Sequence, residues 1–233
     1  NFSTQDKLKE CSFSVRKGEI LGVAGLMGAG RSELARAIIG ADPKLTGQIY
    51  LQGKPVNINS PKTAVKYKIG YLPEDRKANG LVLRLDISKN LTIGNLAKIL
   101  KGFILRLRKE KIYSTEIIKN LQIKTAGLNQ KVRDLSGGNQ QKVVVGKWLF
   151  TDSNVLIFDE PTRGIDVGAK VEIYKLMVQL AREGKSIIMI SSELPEVLSM
   201  SDRIVVMHDG RVVGEVNREE ASQDVILKYA IGK

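Results

Sequence analysis

The stretch Gly25-Leu-Met-Gly-Ala-Gly-Arg-Ser32 decides the fold, because its glycines stand between a predicted strand at 20–24 and a predicted helix at 32–39. Glycines let the backbone curl so that successive N–H groups point at one anion, and the helix N-terminus adds partial positive charge. The spacing is that of a G-x-x-x-x-G-K-[ST] phosphate loop, with Arg31 in place of Lys. The alternative is a glycine-rich turn that binds nothing. The predicted phosphate ligands are Gly25, Gly28, Ala29, Gly30, Arg31 and Ser32.

A second pattern supports the phosphate loop. The apolar run at 155–158 ends in two adjacent carboxylates, Asp159 and Glu160. In a nucleotide site, Asp159 and the Ser32 hydroxyl would hold Mg²⁺, and Glu160 would orient or activate the attacking water. Two acids at a strand end are also compatible with plain polar termination. Together with the upstream loop, however, they favour a site for a nucleoside triphosphate with Mg²⁺.

Strands and helices alternate along most of the chain, which predicts an α/β fold. The apolar runs at 155–158 and 186–190 are typical of buried parallel strands, and a helical pattern between them indicates a right-handed βαβ unit. Asp209-Gly210 joins two further strands and predicts an antiparallel hairpin. We expect an α/β core over 1–85 and 151–216, a helical subdomain without a clear strand over 86–150, and a C-terminal helix over 217–233.

Composition narrows the class of protein. The 233 residues carry 37 Lys and Arg against 25 Asp and Glu, a net charge of +12, and 42% of them are hydrophobic. These values are typical of a globular chain, and the longest apolar runs are too short to span a bilayer. The single cysteine, Cys11, excludes a disulfide framework, and there is no Cys/His cluster for zinc. The absence of an initiator Met and of a signal peptide suggests a cytoplasmic piece of a longer protein.

The positive charge leaves several interpretations open. It is dispersed, and aromatic residues are few, so a solvated surface is favoured over a nucleic-acid interface. The densest basic segment, 101–111, interleaves apolar residues, which fits either contact with anionic lipid headgroups or a helix with one wet face. His208, the only histidine, stands beside the hairpin turn and is expected at the surface without a chemical role.

The stretch Leu135-Ser-Gly-Gly-Asn-Gln-Gln-Lys142 resembles the signature motif of ABC ATPases, and Asp159-Glu-Pro-Thr-Arg-Gly-Ile-Asp166 resembles their Walker B and D-loop. The resemblance implies a P-loop NTPase core of the ABC ATPase type with a helical subdomain and an antiparallel β element. It also implies that the signature faces ATP held by an opposite domain, so a complete site needs a partner ATPase domain. The signature residues implied to contact that nucleotide are Ser136, Gly137, Gly138 and Gln140.

Two further stretches, Tyr71-Leu-Pro-Glu-Asp-Arg76 and Ile190-Ser-Ser-Glu-Leu-Pro195, are similar to the second ATPase half of the tandem subunits of bacterial monosaccharide importers. The resemblance implies coupling of ATP hydrolysis to sugar uptake at the cytoplasmic face of the inner membrane. The implied partners are the N-terminal ATPase half, a transmembrane permease and, indirectly, a sugar-binding protein. The helical region 86–150 would face the permease, and residues 75–85 would contact it. The alternative for 75–85 is an ordinary connecting loop. Nucleic acid is not expected.

Three residues depart from the ABC pattern at positions that act on the γ-phosphate. Arg31 replaces the Walker lysine, Glu74 stands at the Q-loop glutamine, and Ser192 stands at the switch histidine. Glu160 is retained. Our hypothesis is that the domain's own site binds ATP and hydrolyses it slowly or not at all, while its signature completes the competent site of the N-terminal half. The alternatives are a non-hydrolysing regulatory module and, supported only by charge, an ABC protein that acts on nucleic acid.

Overall fold

The computed structural model describes residues 2–4 and 7–232. The chain divides into two compact units. Unit 1 comprises 1–71, 154–160 and 177–233, and unit 2 comprises 72–153 and 161–176. No helix in the described part of the chain is long and apolar enough to cross a membrane.

Unit 1 is built on a sheet that contains six of the described strands. They are β2 Ile20–Gly25, β6 Ile69–Leu72, β9 Val155–Asp159, β10 Ser186–Ile190, β11 Arg203–His208 and β12 Arg211–Asn217. Their order in the sheet is β12-β11-β2-β10-β9-β6. β2 pairs in parallel with both β10 and β11, β10 pairs in parallel with β9, and β11 pairs antiparallel with β12. The predicted α/β class, with parallel strands and an antiparallel element, is therefore confirmed.

The central strands are buried on both faces, as their continuous apolar sequence predicts. Ile157 packs in a cluster with Leu34 and Ala35 of α1 (Arg31–Ile38), and its neighbour Phe158 is fully buried on the alternate face of the strand. The other helices of unit 1 are α2 Pro61–Lys66, α7 Leu194–Met200 and α8 Gln223–Ala230, and α6 Val167–Arg182 runs from unit 2 into unit 1. Short paired strands complete the unit: β1 Ser3–Thr4 with β3 Lys44–Thr46, and β4 Ile49–Leu51 with β5 Lys54–Val56.

The hairpin between β11 and β12 turns at Asp209-Gly210, where both residues have positive φ (45° and 77°). This is the geometry that an Asp-Gly hairpin turn requires. The Nδ1–H group of His208 donates to the Ala230 carbonyl at 2.7 Å, so the ring is tied to α8 and is not simply solvated. The predicted helix over 217–233 was too long. β12 continues to Asn217, and α8 starts after Ser222, whose hydroxyl accepts from the Val225 amide.

Unit 2 is mostly helical. The helix α5 Gly137–Phe150 packs on α3 Ile87–Thr92 and α4 Leu107–Asn120. A Cβ at Gly146 would lie 2.6 Å from Leu91 and 2.7 Å from Ile117, so glycine allows this close approach. A π-helical turn, Arg76–Gly80 (the π-turn), precedes α3. The 3₁₀ segment Ile93–Ile99 follows α3, and the 3₁₀ segment Val132–Asp134 precedes α5.

The 86–150 region contains a hairpin that the sequence patterns did not indicate. Strands β7 Leu100–Lys101 and β8 Ile104–Leu105 pair antiparallel around Gly102-Phe103. Gly102 has φ 62°, the conformation that glycine adopts at the first position of a two-residue hairpin turn. The basic segment 101–111 is therefore half hairpin and half helix, and it is not one amphipathic helix.

Lys147 makes the folding stability of unit 2 depend on pH. Its ammonium donates to the Gly80 carbonyl at 2.6 Å, and burial lowers the pKa of Lys147 to about 8. Because the pKa of Lys147 is lower in the folded state than in the unfolded state, the protonated side chain destabilises the folded protein. This loss of stability is greatest below pH 8 and disappears as the pH rises towards 10.5, the ordinary pKa of lysine.

We therefore expect the change in unfolding free energy caused by Lys147→Met to be about 2 kcal/mol more favourable at pH 7.5 than at pH 10. Urea denaturation of both proteins at the two pH values measures this difference. Lys62→Met on an exposed helix is the control. An equal effect of Lys147→Met at both pH values would contradict the assignment.

Candidate functional site

Three neighbouring parallel strands end at the same edge of the unit 1 sheet, and the predicted residues follow them. β2 leads into the glycine loop, β9 into Asp159 and Glu160, and β10 into Ser191 and Ser192. In open parallel sheets the carboxyl edge is where ligands bind. The sheet order therefore brings together residues that are more than a hundred positions apart in sequence.

The glycine loop has the backbone that its sequence predicts. Gly25, Gly28 and Gly30 all have positive φ, at 154°, 85° and 97°. A Cβ at Gly25 would lie 2.5 Å from the Met207 carbonyl oxygen, whereas a Cβ at Gly28 would meet nothing within 4 Å. The loop is thus tightly supported beneath Gly25 and open at Gly28. Ala29 is buried and fastens the loop, since its amide donates to Leu26 and its carbonyl accepts from Gly210.

Asp159 is the centre of a buried polar group. Its Oδ1 accepts from the Ser32 hydroxyl at 3.1 Å, and its Oδ2 accepts from the Tyr71 hydroxyl at 2.9 Å. Burial raises the pKa of Asp159, and the two donors partly offset this rise. Burial and the neighbouring carboxylate likewise raise the pKa of Tyr71, so the phenol remains a donor. Tyr71 was not among the predicted site residues, although its position near the end of an apolar strand places it at the sheet edge where the site lies.

Glu160 follows in a left-handed backbone conformation, with φ 48°. Its Oε2 accepts from the Ser192 hydroxyl at 3.1 Å, and its Oε1 lies 3.9 Å from Nη2 of Arg31. Burial raises the pKa of Glu160, and the Ser192 hydrogen bond and the Arg31 charge oppose the rise. Arg31 also donates from Nη1 to the Ser191 carbonyl at 2.8 Å. The guanidinium is thus held at the ends of β9 and β10, which places it beside the candidate base.

The donor set at this edge fits Mg²⁺ and a phosphate chain. A serine hydroxyl and a carboxylate 3.1 Å apart supply the hard oxygen ligands that Mg²⁺ prefers, and Mg²⁺ sites commonly use one or two carboxylates plus substrate phosphates. The described residues contain no cluster of three or more His, Cys, Asp or Glu that would suit a different metal. Ser32 and Asp159 would hold the ion, and the open loop at Gly28 would face the phosphates.

The signature residues lie in unit 2, at the start of α5. Ser136 is the exposed N-cap residue, and its hydroxyl accepts from the Asn139 side chain at 2.9 Å. Gly138 leaves room for α6, because a Cβ there would lie 2.6 Å from Ala169. Gln140 is buried, and its amide nitrogen donates to the Val132 carbonyl. Its side chain therefore supports the start of α5, and Ser136 and Gly137 remain accessible to a ligand.

Glu74 also lies in unit 2, and its carboxylate forms an ion pair with Arg163. The buried Arg76 donates to the carbonyls of Arg163 and Gly164 at 2.8 and 3.2 Å. These contacts fasten the segment after β6 to the loop after Glu160. Sequence analysis did not single out Arg76 or Arg163, because neither belongs to a ligand-binding pattern of its own.

The predicted residues thus form two groups. One group follows the strand ends of unit 1, and the other belongs to unit 2, where Glu74 and the signature are found. Unit 1 holds Gly25, Gly28, Ala29, Gly30, Arg31, Ser32, Asp159, Glu160 and Ser192, and unit 2 holds Glu74, Ser136, Gly137, Gly138 and Gln140.

Solved structures share this fold. An ATP-binding cassette of an ABC transporter matches with a TM-score of 0.83 and 23% identity, over 99% of this chain and 96% of that one. The ADP conformation of such a cassette matches with a TM-score of 0.79 and 23% identity, over 100% and 96% of the two chains.

Curated relatives are more similar in sequence. A ribose import ATP-binding protein of Clostridium tetani is 52% identical over 99% of this chain and 46% of its own length. A ribose import ATP-binding protein of Rubrobacter xylanophilus is 54% identical over 99% and 46%. A putative ribose/galactose/methyl galactoside import ATP-binding protein of Rhizobium etli is 51% identical over 100% and 44%. The chain therefore spans about half the length of these relatives.

The sequence pattern of the ABC transporter family matches residues 8–163, which include the glycine loop, the signature and the two carboxylates. With the cassette fold, the arrangement of Ser32 and Asp159, and relatives of about 50% identity, this match leaves one assignment. The chain belongs to the ABC transporter family.

Proposed function

We propose that the chain is the second ATPase half of a bacterial monosaccharide importer and that it binds ATP with Mg²⁺. The support is the loop, the Ser32–Asp159 pair and the names of relatives at 50–54% identity, which are sugar import ATP-binding proteins. Both units would form one nucleotide-binding domain, with the core, helical and C-terminal parts expected from the sequence.

The position of Arg31 supports a division of labour between the halves. Its guanidinium donates to a backbone carbonyl and lies beside Glu160, whereas a lysine ammonium would be a compact charge free to lie between phosphates. The charge of Arg31 opposes the rise in pKa that burial gives Glu160, so it lowers the basicity that this carboxylate would otherwise have. We infer that this half binds ATP, turns it over slowly or not at all, and supplies its signature, where Ser136 and Gly137 are accessible, to the competent site of the other half.

The side chains at the site determine how this half could hydrolyse ATP. Glu160, which accepts a hydrogen bond from Ser192, is the proposed acceptor of a proton from an attacking water. Ser192 can donate to a phosphate oxygen but carries no positive charge, in contrast to an imidazolium. Glu74 places a carboxylate where an amide is expected, and it forms an ion pair with Arg163. Mg²⁺, when bound, would offset phosphate charge.

The proposed partners follow from the relatives. An importer of this type requires a membrane permease and a sugar-binding protein, and the tandem partner would be the other half of the same protein. The segment 75–85, which includes the π-turn, is the proposed permease contact. The chain would then lie peripherally on the cytoplasmic face of the inner membrane.

A second candidate function is a regulatory module that binds nucleotide without hydrolysing it. The observation in its favour is the Arg31–Glu160 contact, together with Glu74 and Ser192 at their unusual positions. Binding of nucleic acid is supported only by the net charge of +12 and ranks below both.

The proposal is tested by ATP binding and steady-state hydrolysis of the chain with Mg²⁺. We expect saturable binding with turnover below about 0.01 s⁻¹, because typical turnover of 1–10³ s⁻¹ is reduced about 10²-fold by each lost positioning group. Asp159→Asn, which preserves shape but removes the charge, should abolish the Mg²⁺ dependence of binding. Rapid turnover would overturn the division of labour, and absence of ATP binding would overturn the proposed function. Turnover indistinguishable from zero, including with the other half present, would favour the regulatory module.

A further inference from the structure

The β7–β8 hairpin presents apolar side chains to solvent at its tip. Phe103 is 104% exposed, Ile104 74% and Leu107, at the start of α4, 69%, with Leu105 also exposed. The base of the hairpin is anchored, since Ile99 is fully buried and its carbonyl accepts from the Arg106 amide at 2.8 Å. The tip is thus a supported protrusion, and nothing in unit 2 covers it among the described residues.

Basic side chains surround this tip. Within 101–111 the only acid is Glu110, which is buried and accepts from the Thr92 hydroxyl at 3.0 Å. Within the described ranges 2–4 and 7–232, no basic residue of the segment forms an ion pair. The basic residues are Lys101, Arg106, Arg108, Lys109 and Lys111.

We propose that this hairpin tip inserts into the surface of a bilayer that contains anionic lipids. Aromatic and aliphatic side chains flanked by lysine and arginine are the combination that lies in the headgroup region of a membrane, with the apolar part buried and the cations at the phosphates. The proposal commits to a bilayer because the basic residues around the tip have no exposed acid among them and match the negative potential of an anionic membrane surface. The inference goes beyond the proposed function, which assigns the permease contact to residues 75–85.

The test is sedimentation of the full chain with phosphatidylcholine vesicles, with and without phosphatidylglycerol, and without any permease. We expect the chain to bind only the anionic vesicles, and we expect the double variant Phe103→Ser/Ile104→Ser to lose this binding. Lys101→Glu/Arg106→Glu should weaken it by at least about tenfold, since each basic residue near an anionic surface contributes several-fold. The matched controls are Tyr50→Ser, an exposed aromatic on unit 1, and Lys62→Glu/Lys66→Glu on α2.

Each contrary outcome identifies a different explanation. Equal loss in the Lys62→Glu/Lys66→Glu control would assign binding to overall charge and overturn the proposal. No binding to anionic vesicles would also overturn it, and self-association that disappears in Phe103→Ser/Ile104→Ser would replace the lipid by a second copy of the chain. ATP binding measured in parallel should be unchanged in all variants, so failure of this proposal is distinct from failure of the proposed function.

Discussion

Ser136→Arg is expected to reduce ATP turnover of the proposed two-half transporter by at least about 10²-fold. Ser136 is exposed at the N-terminus of α5, where backbone N–H groups and the helix dipole favour an anion. An arginine there would fill the space in front of those groups, so the ATP phosphates of the opposite half could not reach them. Because the side chain is exposed, the substitution should leave folding of this half intact, which circular dichroism can confirm.

The matched variant is Arg31→Ala in the same transporter. If this half's own site contributes little turnover, Arg31→Ala should lower the rate by less than about threefold, although it removes a cation from the site. The hypothesis predicts a much larger loss of turnover in Ser136→Arg than in Arg31→Ala. A loss in Arg31→Ala as complete as that in Ser136→Arg would mean that both sites must turn over.

Phe158→Ala is expected to lower the free energy of unfolding by about 3–5 kcal/mol. Phe158 is fully buried in β9, between strands on both sides, where neighbouring side chains cannot collapse into the space of a missing ring. Urea denaturation followed by far-ultraviolet circular dichroism measures the loss. Phe103→Ala is the matched control, since the same substitution at a fully exposed ring should change stability by less than about 0.5 kcal/mol. A loss at Phe158 below about 1.5 kcal/mol would mean that this face of the sheet is loosely packed.

The parallel core could be predicted because its signals are local. Buried parallel strands are continuous apolar runs, and the Asp209-Gly210 dipeptide is a strong hairpin signal, so the strands at 155–158, 186–190 and around that turn were confirmed. The phosphate loop is equally local, since its glycines and helix start stand within eight residues. The parallel pairing of β2, β10 and β9 then places Asp159 beside Ser32.

Other features depend on partners far away in sequence. The Tyr71–Asp159 and Arg31–Ser191 hydrogen bonds join residues separated by 88 and 160 positions, which no local pattern encodes. The Gly102-Phe103 hairpin was missed because its strands have two residues each, too few for alternation to be visible. The C-terminal helix was predicted too long because a 3₁₀ turn, Arg218–Glu220, separates β12 from α8, and α8 begins only at Gln223.

Trp148 is the chain's only tryptophan, and it lies half-buried on α5 with the Lys147 ammonium 5.0 Å from its ring centre. Its fluorescence therefore reports on unit 2 alone, whereas circular dichroism averages over the whole backbone. During denaturation, coincidence of the two signals would identify a single cooperative block. An earlier fluorescence change would show that the signature-bearing unit melts separately, which would make it an independent module in folding.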